Sequence, residues 1–284
     1  MEFSHANPFR RATKTDLVTE PFPHLVVRNA LDTDLLSALI GELPTVSALG
    51  EGGAFGEEWT SSNKRFDYRI ADERKNLRLS PLLREILELY ATRDFLLEFF
   101  RIFGSSVRET YPDFSARFSH NFSDLKSGIR YVDSYNNSDL LLDNHLGINT
   151  PVTATSVVRR VHVDNPKKLY TSLLYLRHPE DDSRGGDLIL CRKKHKHISF
   201  DTKYCVRDED VEVFQRIPYE AGTFVIILNT AKSLHGISER EPTKWSRHFI
   251  HAIGESEQPF FSLPSQKISY MARKLKRKFD RLLK

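Results

Sequence analysis

The segment RRVHVDNPKKLY, residues 159–170, places His162 and Asp164 two positions apart, with Val161 and Val163 alternating with them. In a β-strand, residues i and i+2 point to the same face, so the imidazole and the carboxylate project together while the valines are buried on the other side. A buried, ionised carboxylate is costly unless it is paired or bound to a metal. The pair is therefore either a solvated strand edge or part of a metal site.

A second histidine downstream completes a candidate set of metal ligands. The apolar run of residues 224–228 predicts a buried strand, and His235 follows it closely. Two histidines and one carboxylate that leave positions open suit non-heme Fe(II) used for oxygen chemistry. Arg247 lies twelve residues beyond His235, on the next predicted strand. His162, Asp164 and His235 would bind the metal. Because guanidinium binds carboxylate in a bidentate fork, Arg247 beside that metal suits a dicarboxylate co-substrate.

The bulk composition is that of an ordinary globular protein. The 284 residues suffice for one large domain or two small ones. The two cysteines, Cys191 and Cys205, cannot form a disulfide framework, so a reducing cytosol is the expected compartment. The polar N-terminus lacks the apolar segment of a signal peptide, and no apolar run reaches the roughly 18 residues that a membrane-spanning helix needs. We therefore expect a cytoplasmic protein.

Helix signals are concentrated in the first part of the chain. Asp32 precedes an apolar repeat with helical spacing and is predicted to cap that helix. Ser80 followed by Pro81 is typical of a helix start. Asp94 is predicted to start a further helix that ends near Gly104. These signals predict a helix-rich N-terminal part.

From about residue 115 the chain changes to short β-prone runs separated by turn residues. Their spacing favours an antiparallel sandwich or barrel over a parallel α/β sheet. The predicted strands are residues 116–122, 128–135, 140–149, 156–163, 169–177, 187–192, 197–200, 222–229 and 247–254.

Several short motifs occur in a fixed order along this β-prone part, and together they resemble a known family. The chain is similar to the Fe(II)/2-oxoglutarate-dependent oxygenase superfamily, in its prolyl-4-hydroxylase-like branch, over roughly residues 115–255. The matching residues are His162-Val163-Asp164, the strand LLYL (173–176), Gly185-Gly186-Asp187-Leu188, Ala221-Gly222-Thr223-Phe224, His235 and Arg247.

The resemblance implies a fold and a division of the chain. The fold class is mainly β with N-terminal helices (α+β), and its core is a double-stranded β-helix, or jelly roll, with a cupin-like shape and the metal at its mouth. Residues 1–114 would form a helix-rich part that supports the core, residues 115–256 the oxygenase core, and residues 257–284 a basic amphipathic helix.

The resemblance also implies a reaction and its cofactors. Fe(II) would be bound by His162, Asp164 and His235, and 2-oxoglutarate by the iron and Arg247, with O2 as the second co-substrate. Hydroxylation would be coupled to release of succinate and CO2. Halogenases of the superfamily usually replace the metal carboxylate with a small residue, so Asp164 favours hydroxylation over halogenation.

Other residues are weaker candidates for the site. Tyr175 either hydrogen-bonds 2-oxoglutarate or belongs to the core, and Asn229 either contacts the substrate or stabilises a turn. Arg159 and Arg160 lie just before the metal pair, and Arg160 shares the strand parity of His162, so these arginines are candidates to bind an anionic substrate. His145 is a further strand histidine that either lines the pocket or packs in the core.

The substrate and partners are left open by the sequence. We expect a small or carrier-linked substrate; the alternatives are a protein prolyl hydroxylase and, in another class, a non-catalytic jelly-roll binding module. The Gly-rich segment 50–64 predicts a loop that would close over a small substrate as a lid. The formal charge of +4 and the absence of a recognisable binding motif argue against nucleic acid.

The last eighteen residues, KISYMARKLKRKFDRLLK (267–284), predict a basic helix with one apolar stripe. The helix either packs its stripe on the core or makes peripheral contact with an anionic membrane surface, in which case the protein lies at the inner face of the membrane. The oligomeric state is not indicated by the sequence.

Overall fold

The structure, a computed structural model, describes residues 2–50, 61–118 and 121–263. The basic helix predicted over residues 267–284, and most of the loop predicted over residues 50–64, therefore lie outside the described residues. Of the helices that are described, none combines the length and the apolar character needed to cross a membrane.

Ten strands are found in the described residues, and they form two antiparallel sheets. The larger sheet has the order β1-β8-β5-β10-β4-β2, with β3 parallel to β4, and the smaller has the order β7-β6-β9. The strands are β1 His24–Val27, β2 Arg65–Arg69, β3 Ser127–Ile129, β4 Leu140–Asn149, β5 Lys168–Tyr175, β6 Leu188–Lys193, β7 Val211–Ile217, β8 Phe224–Leu228, β9 Leu234–Ile237 and β10 Arg247–Glu255.

The helices of the described residues lie mainly in the N-terminal part, as the sequence predicts. They are α1 Phe3–Ala6, α2 Thr33–Gly41, α3 Val46–Gly50, α4 Ile70–Asn76, α5 Pro81–Tyr90, α6 Arg93–Thr110 and α7 Phe114–Phe118, with 3-10 turns at Lys14–Asp16, Phe122–Asp124 and Asp208–Asp210.

The predicted helix starts are partly right. Ser80 caps α5, since its hydroxyl accepts a hydrogen bond from the Leu83 amide at 3.3 Å. Asp32 stands at the N-cap position of α2 but makes no capping bond, because its carboxylate accepts hydrogen bonds from Arg10 at 2.5 Å and Arg11 at 3.1 Å. The capping prediction for Asp32 is therefore wrong, and the acid instead ties α2 to the N-terminal segment.

The helix predicted to end near Gly104 continues to Thr110 and begins one residue earlier than expected, with Thr92 rather than Asp94 as its cap. A side chain at Gly104 would bring its Cβ to 3.1 Å from a ring carbon of Phe122. The glycine thus serves close packing and does not end the helix.

Two predicted strands are absent from the described residues and two more are reduced; of the predicted strand 128–135, only Gly128 and Ile129 belong to β3. Residues 116–122 fall in α7 and the following 3-10 turn, with residues 119–120 outside the described part; the aromatic residues that suggested a strand pack together, with Phe114 and Phe122 rings 5.3 Å apart. Residues 197–200 form no strand, and residues 156–163 form only isolated bridges.

Two cores account for the position of the sheets. Helices α5 and α6 cover the outer face of the larger sheet, where the Phe99 ring lies 4.7 Å from that of Tyr170 and Leu83 and Ile86 are buried in the same cluster. A second cluster, which includes Leu188 and Phe249, fills the space between the two sheets. Two facing antiparallel sheets with helices on one outer face are the double-stranded β-helix predicted from the sequence.

The larger sheet crosses the predicted boundary between residues 114 and 115. Its edge strands β1 and β2 come from the N-terminal side, where β1 pairs with β8 and β2 pairs with β4. The N-terminal part thus contributes strands as well as supporting helices.

The register of the larger sheet brings distant residues into rows across its inner face. Arg247 of β10 lies opposite Asn149 of β4, and His251 lies opposite His145. Phe249 lies opposite Gly147, where a Cβ would come within 2.2 Å of the Phe249 ring. Gly147 is therefore needed for the ring to lie flat across β4.

Candidate functional site

His162, Asp164 and His235 are brought together although 70 residues separate the first two from the third. Their potential ligand atoms all lie within 4.8 Å of one another. The Asp164 carboxylate lies between the imidazoles, with Oδ1 3.9 Å from His162 Nε2 and Oδ2 3.7 Å from His235 Nε2. The two histidines face each other because their backbones exchange hydrogen bonds of 2.9 and 3.0 Å. This compact set matches the ligands predicted from the sequence.

The hydrogen bonds of the two imidazoles favour metal binding. His162 Nδ1 lies 2.9 Å from the Arg160 carbonyl, and His235 Nδ1 lies 2.9 Å from the Ser233 carbonyl. A carbonyl can only accept, so each Nδ1 carries the proton and each Nε2 presents its lone pair toward Asp164. Burial lowers the pKa of both His162 and His235, which keeps the rings neutral. Neutral imidazole is the form that binds metals.

Asp164 is held ionised by a lysine that the sequence analysis missed. Lys168 Nζ donates a hydrogen bond to Asp164 Oδ1 at 3.0 Å. Burial alone would raise the pKa of Asp164, but the charge of the Lys168 ammonium opposes this effect, and the pKa is held well below its usual range. The spacing of four residues gave no signal, because a chain turn after Asp164, rather than a helix, brings the ammonium back to the carboxylate.

Asn229, predicted as a substrate contact, has a structural role instead. Its Nδ2 donates to the carbonyls of Asn165 at 2.9 Å and Lys168 at 3.0 Å, and its Oδ1 accepts from Ser233 at 3.1 Å. These bonds use the whole amide, so Asn229 is not among the cavity-lining residues. Asn229 connects the segment after Asp164 to the end of β8. Of the two roles considered for this residue, the structure therefore supports stabilisation of a turn.

Arg247 is a buried cation without a carboxylate partner in the described residues. Its side chain is enclosed by the rings of Tyr175, Tyr219 and Phe249, with its guanidinium carbon 4.8, 4.8 and 4.9 Å from their centroids. Nη1 donates weakly to Asn149 Oδ1 at 3.4 Å, whereas Nε and Nη2 have no hydrogen-bond partner among the described residues. A buried charge left in this state needs an anion to bind it.

Tyr175 adds a second donor beside Arg247. Its hydroxyl is buried and without a hydrogen-bond partner among the described residues. Burial raises the pKa of Tyr175, so the hydroxyl keeps its proton and is able to donate. Arg247 and Tyr175 together therefore present a fork of donors suited to a carboxylate. Tyr219, which completes this enclosure, had no distinguishing signal in the sequence.

A cavity of about 350 Å³ connects His162, Asp164 and His235, the candidate metal ligands, with Arg247. Alternate residues of β5, β8 and β10 give it an apolar wall on the side of the larger sheet, and Leu188 and Ile237 line it from the smaller sheet. The apolar residues of the larger sheet that line it are Leu173, Val225, Ile227, Phe249 and Ile253.

A polar network lines the remaining part of this wall. It includes His145, which therefore lines the pocket and is not a packing residue of the core. His145 Nε2 lies 3.2 Å from Asp67 Oδ1 and 2.8 Å from His251 Nδ1, and His251 Nε2 lies 2.6 Å from Thr171 Oγ1. Burial alone would lower the pKa of His145, but Asp67 and Asp143 outweigh this effect and raise it. The pKa of His251 is lowered by burial and by the nearby His145. His145 Nε2 can thus donate to His251 Nδ1, which leaves His251 Nε2 to hold the Thr171 hydroxyl at the cavity wall.

The two candidate arginines before the metal pair are separated by the structure. Arg159 lines the cavity, whereas Arg160 points to the outer surface and donates to Asp201 at 3.1 Å. The parity argument for Arg160 is wrong, because residues 158–161 are bent and do not alternate as a strand does. Only Arg159 remains a candidate to meet a ligand in this cavity.

Comparisons with known proteins locate the similarity in the fold. No family model matches the chain, and no curated protein matches it either. Among solved structures, a prolyl 4-hydroxylase from Phytophthora capsici is 16% identical with a TM-score of 0.51, over 97% of this chain and 75% of that one. A prolyl-4-hydroxylase from Pseudomonas putida is 14% identical with a TM-score of 0.45, over 87% of this chain and 98% of that one. The first likeness shows that this chain has the fold of a prolyl 4-hydroxylase, as its motifs predicted.

Proposed function

We propose that this protein is an Fe(II)/2-oxoglutarate-dependent dioxygenase that hydroxylates a small or carrier-linked substrate. The observation that carries the proposal is the pairing of two features in one cavity. His162, Asp164 and His235 present their ligand atoms within 4.8 Å of one another, and Arg247 presents donors without a partner among the described residues. A metal set alone or a buried arginine alone would be far less specific.

The chain's residues fit Fe(II) by the chemistry of their donors. Nε2 of His162, Nε2 of His235 and the Asp164 carboxylate would hold the ion, which is the two-histidine, one-carboxylate set used by non-heme Fe(II) oxygenases. The carbonyls that accept from each Nδ1 orient the imidazoles, and Lys168 orients the carboxylate.

Arg247 and Tyr175 fit the distal carboxylate of 2-oxoglutarate. Their open donors supply the hydrogen bonds, and the rings of Tyr219 and Phe249 exclude water from the ion pair. When bound, iron with 2-oxoglutarate and O2 supplies an oxidative decarboxylation coupled to hydroxylation, with release of succinate and CO2. The apolar wall of Leu173, Val225 and Ile227 keeps that chemistry away from bulk water.

The alternatives are disfavoured or left to the test. A jelly roll that serves only for binding would not need to keep three metal ligands and a buried arginine around one cavity. A prolyl hydroxylase would need to admit a peptide to the same cavity. The metal site would be the same in both cases, so a test of substrates distinguishes the two functions.

The proposal is tested by turnover of 2-oxoglutarate with Fe(II) and O2. The purified protein should form succinate, and a screen of small molecules should find one that gains the mass of one oxygen in step with succinate. A set of proline-containing peptides tests the alternative in the same assay. If no condition yields succinate above that formed by a His162→Ala variant, the proposed activity is wrong.

A further inference from the structure

Arg159 is a cation of the cavity that has no assigned ligand. Its side chain lines the same cavity as His162 and His235, and it is partly buried. In the part of the chain that the structure describes, its guanidinium makes no hydrogen bond and no ion pair with a protein group. Arg160, the next residue, by contrast donates to Asp201 at 3.1 Å.

The backbone that carries Arg159 is firmly held beside the metal ligands. The Ile237 amide donates to the Arg159 carbonyl at 3.0 Å, and the Arg160 carbonyl accepts from His162 Nδ1. Gly236 allows this close approach, since a Cβ there would lie 3.0 Å from the Val161 backbone. The point from which the Arg159 side chain enters the cavity is therefore fixed relative to His162 and His235.

Apart from Arg247, the other arginines that line the cavity have acidic partners. Arg65 Nε lies 2.8 Å from Asp67 Oδ1, and Arg130 Nη1 lies 3.4 Å from Asp143 Oδ2. Arg69 approaches Asp143 more loosely, with its Nε 3.7 Å from Oδ2. Of Arg65, Arg69, Arg130 and Arg159, only Arg159 has no acidic partner among the described residues.

Arg159 and Arg247 serve different parts of the cavity. Arg247 is enclosed by Tyr175 and Phe249 of the larger sheet and by Tyr219, which lies between β7 and β8, whereas Arg159 lies on the segment that leads into His162. If Arg247 binds the co-substrate, Arg159 is left for the substrate. An open guanidinium favours two oxygen atoms of one anionic group, which it binds as a fork.

We propose that the substrate carries an oxyanion, either a phosphate or a carboxylate, that is bound by Arg159. The inference rests on the proposed function, because it assigns the substrate end of the same active site. The side chains that line the cavity include more arginines and lysines than carboxylates, so the charge of the cavity favours entry of an anion over a cation.

The test is calorimetric titration of protein saturated with Mn(II) and 2-oxoglutarate, at constant ionic strength. The probes are methyl phosphate, acetate and the neutral acetamide. We expect saturable binding of at least one anion, no binding of acetamide, and at least tenfold weaker anion binding by Arg159→Gln. The matched control Arg160→Gln should stay within twofold of the wild type. Tighter binding of methyl phosphate identifies a phosphate substrate, and tighter binding of acetate a carboxylate.

Two results would overturn the inference: no saturable binding of either anion to the wild-type protein, or equal anion binding by Arg159→Gln and Arg160→Gln. Titration of 2-oxoglutarate into the Mn(II)-loaded proteins separates this failure from that of the proposed function. If 2-oxoglutarate binds the wild type but neither anion does, the substrate assignment fails and the proposed activity stands. If 2-oxoglutarate itself does not bind, both fail. Because Arg159 makes no internal hydrogen bond, its replacement should leave the melting temperature unchanged, which excludes unfolding as the cause.

Discussion

The hydrogen bond from His162 Nδ1 to the Arg160 carbonyl leaves Nε2 available for the proposed metal ion. We expect His162→Ala to lose tight Fe(II) binding and to reduce succinate formation to background, since one of three protein ligands is removed. His195, an exposed histidine outside the site, provides the control: His195→Ala should retain both properties. Undiminished turnover of His162→Ala would remove this residue from the site.

In the proposed site Lys168 would act on the metal through Asp164, which makes it a positioning residue. Replacing it by Met keeps the length of the side chain but removes the hydrogen bond of 3.0 Å to Asp164 Oδ1. We expect Lys168→Met to weaken Fe(II) affinity roughly 10- to 100-fold, the usual range for such partners of metal ligands. Metal titration would measure this, with Lys167→Met as the control. Equal affinities of the two variants would show that Lys168 does not position the ligand.

Single residues also show where prediction from the sequence stops. His162, Asp164, His235 and Arg247 could be predicted because their types and order carry the chemistry. The role of Asn229 could not, because its amide is used by backbone carbonyls whose positions depend on the finished fold.

At the level of the elements, the inner face of β10 depends on a glycine of its neighbour β4. A Cβ at Gly147 would lie 2.2 Å from the Phe249 ring, which also covers Arg247. We expect Gly147→Ala to cost about 1–3 kcal/mol of unfolding free energy, as overpacking commonly does, and to weaken 2-oxoglutarate binding. Urea denaturation and calorimetry measure the two effects.

Gly41, at the end of α2, is the matched control for that substitution. A Cβ there meets nothing within 4 Å, so Gly41→Ala should be neutral or stabilising by up to about 1 kcal/mol. Equal stability of the two variants would mean that β4 and β10 relax enough to accept the side chain.

Helices and strands could be predicted where the signal lies within the element itself, such as a capping residue or the alternation of side chains along a regular strand. The inward parity of Arg247, Phe249 and His251 follows from a regular strand, whereas that of Arg160 does not, because its segment is bent. The role of Gly104 inside α6 is to leave room for the Phe122 ring, a contact from a later part of the chain. Such contacts have no local signature in a sequence.

For the whole molecule, the order of motifs predicted the double-stranded β-helix, but not that both outer strands of the larger sheet come from the N-terminal part. β1 and β2 join the sheet from more than 70 residues before their partner strands. The pairing is long-range, and short strands of this kind resemble loop segments when the sequence is read alone.

Buried histidines make the stability of the whole molecule depend on pH. Burial lowers the pKa of His162, His235 and His251, and lowers that of His248 to about 4. Unfolding restores a pKa near 6.5, so between these values the unfolded chain binds more protons, and stability is lost as pH falls from about 6.5 toward 4. His145, whose pKa is raised, opposes this trend only in part.

We therefore expect the metal-free protein to have a lower free energy of unfolding at pH 5 than at pH 7.5, as measured by urea denaturation. His248→Gln, outside the proposed site, should reduce this difference by removing one of the four groups. A free energy of unfolding that is equal or greater at pH 5 would contradict the assignment of neutral, buried imidazoles.

The central claim is that the metal set and Arg247 act together on 2-oxoglutarate. The most direct measurement is the visible charge-transfer band that forms when Fe(II) and 2-oxoglutarate are added to the protein without oxygen. The account predicts the band in the wild type, its loss in His162→Ala, and a much higher 2-oxoglutarate concentration for half-saturation in Arg247→Gln. A wild-type protein that forms no band, or an Arg247→Gln variant that saturates at the wild-type concentration, would contradict it.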